Sequence, residues 1–222
     1  MTNQKINVDL KEKTNMEDLL NQLKNLQAVD WLIICTAVIA YIPLWIAIAK
    51  DKEHGAGQNF YTWILWFILD ISQLTSTMLA HGTYVMFLAF APCCLATLLI
   101  VRKHRKPIDP FEKAAVVLTI LCIPTWACMG EIWAIVIQTT AQVIAGLPLL
   151  RDTWREPAKF KKTLFPLSIF TVVHLISFYR KSGWTIEDTL FPFVMLIFTL
   201  LSMLPIVKVV YEEQKKKIYP WI

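Results

Sequence analysis

Two side chains are the best candidates for chemistry in this apolar chain: a carboxylate and an imidazole. Asp70 is the only acid that lies deep inside a long apolar run, and His174 is the lone polar ring of a second run. A charged carboxylate near the centre of a bilayer costs several kcal/mol. We therefore expect Asp70 to face other helices, where it is paired or carries a proton.

The run around Asp70 has one polar and aromatic face. Trp63, Trp66, Asp70, Gln73 and Thr77 recur at spacings of three and four, which places them on one side of a helix. We favour the interpretation that this face lines a substrate cavity. The alternative is an inward face that holds a helix bundle together by hydrogen bonds, with Trp63 as an interfacial anchor.

Asp70 and His174 occupy related positions in the sequence. A shift of 104 residues places one on the other, so we expect similar depths in the membrane. A carboxylate and an imidazole that meet there would suit proton-coupled transport or hydrogen bonding to a polar solute. The alternatives are a buried structural pair, or a histidine bonded to a backbone carbonyl.

The apolar run that begins at Ile132 adds uncharged polar groups. Gln138 and Gln142 lie one helical turn apart, beside Thr139 and Thr140. Amides and hydroxyls suit neutral solutes, and they are equally common as contacts between helices. With these residues the predicted substrate-binding set is Trp66, Asp70, Gln73, Gln138, Gln142 and His174.

The five cysteines have no metal-ligand spacing with histidine and are interpreted as small buried residues. We predict no metal, cofactor or catalytic residue.

The elements that must position these residues are membrane helices. Of 222 residues 56% are hydrophobic and 18% charged, with a mean hydropathy of +0.49. The charges cluster between long apolar runs, which excludes a soluble enzyme, a disordered protein and a nucleic-acid binder in spite of the net charge of +5. Seven runs are candidate spans: 31–49, 60–79, 84–101, 114–129, 132–150, 163–178 and 190–210. We predict an all-α membrane protein.

The distribution of Lys and Arg predicts the orientation. With seven spans, 16 of the 22 Lys and Arg residues lie on one side and 6 on the other. By the positive-inside rule the N-terminus is outside and the C-terminus is cytoplasmic. We see no cleavable signal peptide and no eukaryotic sorting tail, and we favour a bacterial inner membrane.

Residues 1–30 are interpreted as an extracytoplasmic tail. Thr14 and Glu17 have the spacing of a capping box, and the leucines that follow recur on one helical face, which predicts a short amphipathic helix. This helix covers the outer mouth or simply lies on the headgroups. The other predicted units are repeats at 31–101 and 132–210, a linker helix at 114–129 and a cytoplasmic tail at 211–222.

The two repeats have the same organisation. Pro43 and Pro148 each lie near the cytoplasmic end of the first helix of a repeat, and a basic loop precedes the second helix. Each half contains three spans, and the fourth span links them, a three-one-three plan. Proline inside a helix permits a bend, so both prolines are candidate hinges, although a static kink or a helix end is the alternative.

The segment Pro148 to Trp154, with Gln142 upstream, resembles the PQ-loop superfamily, which includes the SWEET and SemiSWEET sugar carriers. The resemblance implies two triple-helix bundles joined by an inversion linker, with paired prolines that let them rock. The chain departs from the motif where Leu44 and Leu149 replace the glutamine and Ala49 replaces the first tryptophan. Vitamin carriers of the nicotinamide-riboside type share this plan.

We predict a carrier for a small polar solute, such as a sugar, an amino acid or a vitamin. Its expected partners are the bilayer and the solute, with protons and further copies of the chain left open. The alternative is a scaffold or sensor that keeps the carrier-like fold. A retinal pigment would need a lysine in the middle of the last span, where the chain has only Lys208 at the end. An enzyme would need a fuller acid, base or metal cluster.

Overall fold

The computed structural model describes residues 26–51, 57–79, 85–104, 107–128, 131–180 and 185–218. These residues form seven α-helices, and they contain no β-strand. The helices are α1 Ala28–Lys50, α2 Phe60–Leu79, α3 Val85–Val101, α4 Pro110–Cys128, α5 Glu131–Arg155, α6 Leu164–Tyr179 and α7 Ile186–Ile218. Short 3-10 segments follow α3, at Arg102–His104, and precede α6, at Pro157–Thr163. The prediction of an all-α protein is confirmed.

Five regions of the described chain are long and apolar enough to cross a membrane, namely Ala28–Lys50, Val85–His104, Ile132–Arg155, Pro157–Tyr179 and Asp188–Lys217. They contain α1, α3, α5, α6 and α7. In α2 the polar residues around Asp70 and Gln73 lower the hydropathy. The assignment of α2 and α4 as further spans stays a prediction.

The distribution of side chains is the reverse of that in a soluble protein. Large apolar residues such as Ile39, Leu99 and Leu204 are exposed, whereas Asp70 and His174 are buried. Water would disfavour exposed apolar surface of this extent, but hydrocarbon would not. This pattern, with the long apolar helices, fits an integral membrane protein.

Helices α3 and α7 each contact two of the helices that precede them in the chain. Helix α3 packs against α2 and also contacts α1, where Trp45 Nε1 donates to Thr97 Oγ1 at 2.8 Å. Helix α7 packs against both α6 and α5. Helix α5 also packs against α2 and α4.

Helix α4 is fixed at its N-terminus by a reciprocal cap. The backbone N–H of Asp109 donates to Glu112 Oε2 at 2.8 Å, and the backbone N–H of Glu112 donates to Asp109 Oδ1 at 2.7 Å. Glu112 also accepts from Asn59, which caps α2 by accepting the backbone N–H groups of Tyr61 and Thr62. The starts of α2 and α4 are therefore tied together.

An ion pair joins the same region to the end of α5. Arg151 Nη2 lies 2.7 Å from Asp109 Oδ2, and its guanidinium lies over the ring of Phe111. The hydrogen bond from Arg151 holds the pKa of the Asp109 carboxyl below its ordinary value. We call the end of the helices that carries Asn59, Asp109, Glu112 and Arg151 the basic end.

Two local predictions can be compared with these bounds. The sequence predicts a break near 129–131, and α4 ends at Cys128 while α5 begins at Glu131. Pro43 and Pro148 both lie inside helices that continue for about two further turns, to Lys50 and Arg155. The helix-end alternative for these prolines is therefore wrong, and their hinge role stays a prediction. The predicted amphipathic helix lies outside the described residues.

Candidate functional site

A cavity of about 90 Å³ lies among helices α1, α2, α3, α5, α6 and α7. On the same measure one water molecule needs roughly 10–15 Å³, so the space admits several waters or a small solute. Its inner part is bounded by Asp70, Gln142 and His174, and its walls reach Gln58, Phe160 and Thr163 towards the basic end. Four of the six predicted substrate-binding residues line it: Trp66, Asp70, Gln142 and His174.

Asp70 is held by partners from two other helices. Gln142 Nε2 donates to Asp70 Oδ1 at 2.7 Å, across the contact between α2 and α5. The Cys94 thiol on α3 donates a second hydrogen bond to the carboxylate. Asp70 is only 3% exposed, so these bonds replace part of the hydration that it would have in water.

Tyr41 and Cys94 extend this network, and the sequence analysis missed both. Tyr41 Oη and Cys94 Sγ share a hydrogen bond at 3.3 Å, and both side chains line the cavity. Cysteine was interpreted only as a small buried residue. Tyr41 did carry a signal, since it lies in the middle of an apolar run rather than in the interfacial belt where tyrosine is most common.

Contacts with α5 fix the position of Trp66. Its Nε1 donates to the backbone oxygen of Gln142 at 2.9 Å, and its ring packs against that of Phe198 with centroids 6.0 Å apart. A Cβ atom on Gly146 would lie 2.6 Å from Phe198 Cζ and 2.9 Å from Trp66 Cζ2. Gly146 is thus needed for the close approach of both rings to α5.

His174 lies in a very different environment. It is 2% exposed, and its ring packs against Phe90 and Phe191 with centroids 5.8 and 6.4 Å away. Its Nδ1 is buried without a hydrogen-bond partner. Among the described residues no hydrogen bond or ion pair joins His174 to Asp70, although both border the same cavity.

The two remaining predicted residues lie away from this cavity. Gln138 Nε2 donates to the hydroxyls of Ser72 and Ser76 at 2.7 and 3.0 Å, which fits the alternative of a contact between helices. Gln73 borders a second, much smaller cavity. Sequence periodicity placed Gln73 on the face of Asp70, but the cavity does not extend along the whole face.

Aromatic packing separates the two cavities. Phe87 on α3 and Phe191 on α7 contact each other with ring centroids 4.7 Å apart, and Phe191 borders both spaces. The smaller cavity, which Gln73 and Ser177 also border, measures about 10 Å³. The main cavity therefore extends towards the basic end and is closed by phenylalanine rings at its inner end.

Comparisons of the chain with protein-family models, with curated proteins and with solved structures give no match. The geometry of the cavity is therefore the basis of the proposed function.

Proposed function

We propose that the protein is a membrane carrier that moves a small polar solute by alternating access around the cavity at Asp70 and His174. The observation that carries this proposal is the shared construction of the cavity. Asp70 comes from the first half, Gln142 and His174 come from the second, and all three border one space. A movement of one half against the other would change access to that space.

The polarity of the cavity supports a solute site. Buried polar groups in a membrane are costly unless they are paired or used. Asp70 is held by Gln142 and Cys94, so its position is defined before any solute arrives. The His174 side chain borders the cavity, and its buried Nδ1 has no hydrogen-bond partner in the protein. Both features suit a binding site better than a packed core.

The packing of the helices supports movement between two halves. We propose the three-one-three plan, with α1 to α3 and α5 to α7 as bundles and α4 as the link, because α3 and α7 occupy equivalent places. Pro43 and Pro148 lie about two turns before the ends of α1 and α5, which makes them symmetric candidates for hinges. This plan is the one that the resemblance to the PQ-loop superfamily implies.

The orientation in the membrane belongs to the same proposal. We place the basic end in the cytoplasm, following the excess of Lys and Arg, and we favour a bacterial inner membrane. In this arrangement the cavity reaches towards the cytoplasm, and the pair Phe87 and Phe191 separates it from the outside. The structure would then correspond to an inward-facing state.

A scaffold or sensor is the second candidate, because the walls of the cavity are rich in aromatic rings. Tyr41, Trp63, Trp66, Phe90 and Phe170 form a chain of mostly edge-to-face contacts with centroids 4.9 to 6.2 Å apart. Such packing also stabilises a rigid bundle. The open volume beside Asp70 favours the carrier.

The experiment is uptake into proteoliposomes, measured for labelled sugars, amino acids, vitamins and amines. We expect one class to enter faster than into protein-free vesicles, and we expect His174→Phe to reduce that uptake at least tenfold. Trp154→Phe, which changes an exposed ring outside the cavity, is the matched control and should keep the rate. If folded wild-type protein admits none of these solutes, the scaffold is the better explanation.

A further inference from the structure

Three nitrogen donors around the cavity are already engaged within the protein, and the imidazole of His174 is the exception. Gln142 Nε2 donates to Asp70, Trp66 Nε1 donates to the backbone oxygen of Gln142, and Trp63 Nε1 donates to Gln58 Oε1 at 3.1 Å. A solute that needs to accept hydrogen bonds, such as a carboxylate or a phosphate, would find these donors occupied.

The hydroxyl groups that line the cavity also donate their protons within the protein. Thr153, Thr163, Thr199 and Ser202 line it, and each hydroxyl donates to a backbone carbonyl of its own segment at 2.5 to 2.9 Å. A hydroxyl that has donated its proton offers only lone pairs to a further partner. These four groups therefore present acceptors.

The charge of the cavity has one sign. Asp70 is its only Asp, Glu, Lys or Arg among the described residues, so no cation of the protein faces the carboxylate. The other titratable groups around Asp70 are Tyr41 on α1, Cys94 on α3 and His174 on α6. Helix α5 contributes the neutral Gln142, and α7 contributes apolar and hydroxyl side chains. A buried carboxylate without a counter-ion needs either a proton or a cation from outside.

The aromatic walls suit the same kind of ligand. The faces of tryptophan and tyrosine rings attract ammonium groups, most strongly where water is excluded. Tyr41, Trp63 and Trp66 border the cavity together with Asp70. The cavity is thus lined by hydrogen-bond acceptors, one carboxylate and aromatic rings. None of the described residues that line it is a lysine or an arginine.

We propose that the cavity binds a small primary ammonium ion, which takes the place of a proton on Asp70. The N–H groups of the ammonium donate to the Asp70 carboxylate, and the hydroxyl acceptors line the cavity that leads to it. When it binds, the Asp70 carboxyl releases one proton, so the net charge of the occupied and empty sites is the same. The carrier would then exchange one ammonium ion for one proton. This assignment depends on the proposed carrier function and narrows its solute class.

The test is the dissociation constant of ethanolammonium, measured by thermal stabilisation of the purified protein. Ethylene glycol is the neutral probe of similar size. We expect ethanolammonium to bind at least tenfold more tightly than ethylene glycol at pH 8. Its affinity should fall as the pH is lowered towards 5, by up to about tenfold per unit once Asp70 carries a proton in the empty site.

Three variants define the role of the carboxylate. Asp70→Asn should weaken ethanolammonium binding about tenfold or more and remove its pH dependence, while Asp70→Glu should retain both. Asp152→Asn, a change of the same type at the basic end, should leave binding unchanged. If Asp70→Asn does not fold, the wild-type comparison of the two probes and the Asp70→Glu variant still decide the question.

Two results would overturn the proposal. Equal binding of ethylene glycol and ethanolammonium would exclude recognition of the charge, and full affinity in folded Asp70→Asn would exclude the carboxylate. Uptake of a neutral sugar that depends on His174 would also overturn it, yet would leave the carrier function standing. Failure of every solute to enter proteoliposomes would instead contradict the carrier itself.

Discussion

Asp70 and His174 border the same cavity, but their surroundings differ. Asp70 on α2 accepts hydrogen bonds from Gln142 and Cys94, which lie on two other helices. His174 on α6 contacts the rings of Phe90 and Phe191, and its Nδ1 has no partner in the protein. Helix α2 thus carries a carboxyl group that its neighbours hold in place, whereas α6 carries a buried polar atom without a protein partner.

This difference indicates how side chains on two helices can have different roles at one site. A fixed carboxylate gives the solute a defined point of attachment. An imidazole held only by ring contacts can form a hydrogen bond with a solute without breaking a hydrogen bond inside the protein. Variants of the surrounding residues test whether Asp70 is held by its hydrogen-bond network and whether His174 has no such network.

The largest expected effect comes from removing the amide that holds Asp70. Gln142→Leu should lower the free energy of unfolding by about 2–3 kcal/mol, because the buried Asp70 carboxyl group loses a hydrogen bond and is left partly unsatisfied. Gln138→Leu is the matched control on the same helix and should cost about 1 kcal/mol, since Gln138 donates only to neutral hydroxyls. Denaturant unfolding in detergent measures both. Equal losses would mean that Asp70 does not depend on its network.

The second effect concerns the rings beside Asp70. Gly146→Ala should destabilise the protein by about 1–3 kcal/mol, because its Cβ would overlap the rings of Phe198 and Trp66. Removing the nearer ring with Phe198→Leu should recover part of this loss in the double variant. Thermal unfolding of the single and double variants checks the coupling. An additive result would show that the glycine does not position these rings.

The third prediction separates stability from function at His174. His174→Phe should change the free energy of unfolding by less than about 1 kcal/mol, because the surroundings are aromatic and an unpartnered nitrogen is removed. Solute binding should fall strongly in the same variant. Thermal unfolding and ligand titration on one preparation measure the two effects. A large loss of stability with intact binding would make His174 a structural residue.

The smallest expected effect lies at the basic end, away from both residues. The pKa of Asp109 is lowered by Arg151, so the pair stabilises the fold above the ordinary carboxyl pKa and this contribution is lost as the pH falls through the lowered value. The pair is partly exposed, so we expect at most about 1 kcal/mol. Thermal midpoints between pH 7 and 3, compared with Arg151→Gln, measure it. An unchanged pH profile in the variant would exclude this pair.

Most of the fold could be predicted from the sequence, because apolar runs of membrane length determine helices strongly. The seven runs correspond to α1 to α7, and the break before Glu131 was expected. Side-chain partners were harder to predict. Gln138 and Gln142 look alike in sequence, but the packing of α5 gives them different partners. Gln138 contacts Ser72 and Ser76, and Gln142 contacts Asp70. The hydrogen bonds of Cys94 and Tyr41 depend on the packing of α1 and α3 around α2. Periodicity within one helix does not reveal this packing.

The most direct test of alternating access is the accessibility of one cavity residue from each side of the membrane. Ser202 is buried, lines the cavity and differs little in size from cysteine. Ser202→Cys is therefore a suitable probe in a chain that carries Cys94→Ser, which keeps a hydrogen-bond donor beside Asp70, and alanine in place of the other native cysteines. A membrane-impermeant thiol reagent is applied to oriented proteoliposomes from inside or outside. We predict that the thiol reacts from both sides, and that a bound solute slows both reactions. Reaction from one side only, whatever solute is present, would contradict the carrier.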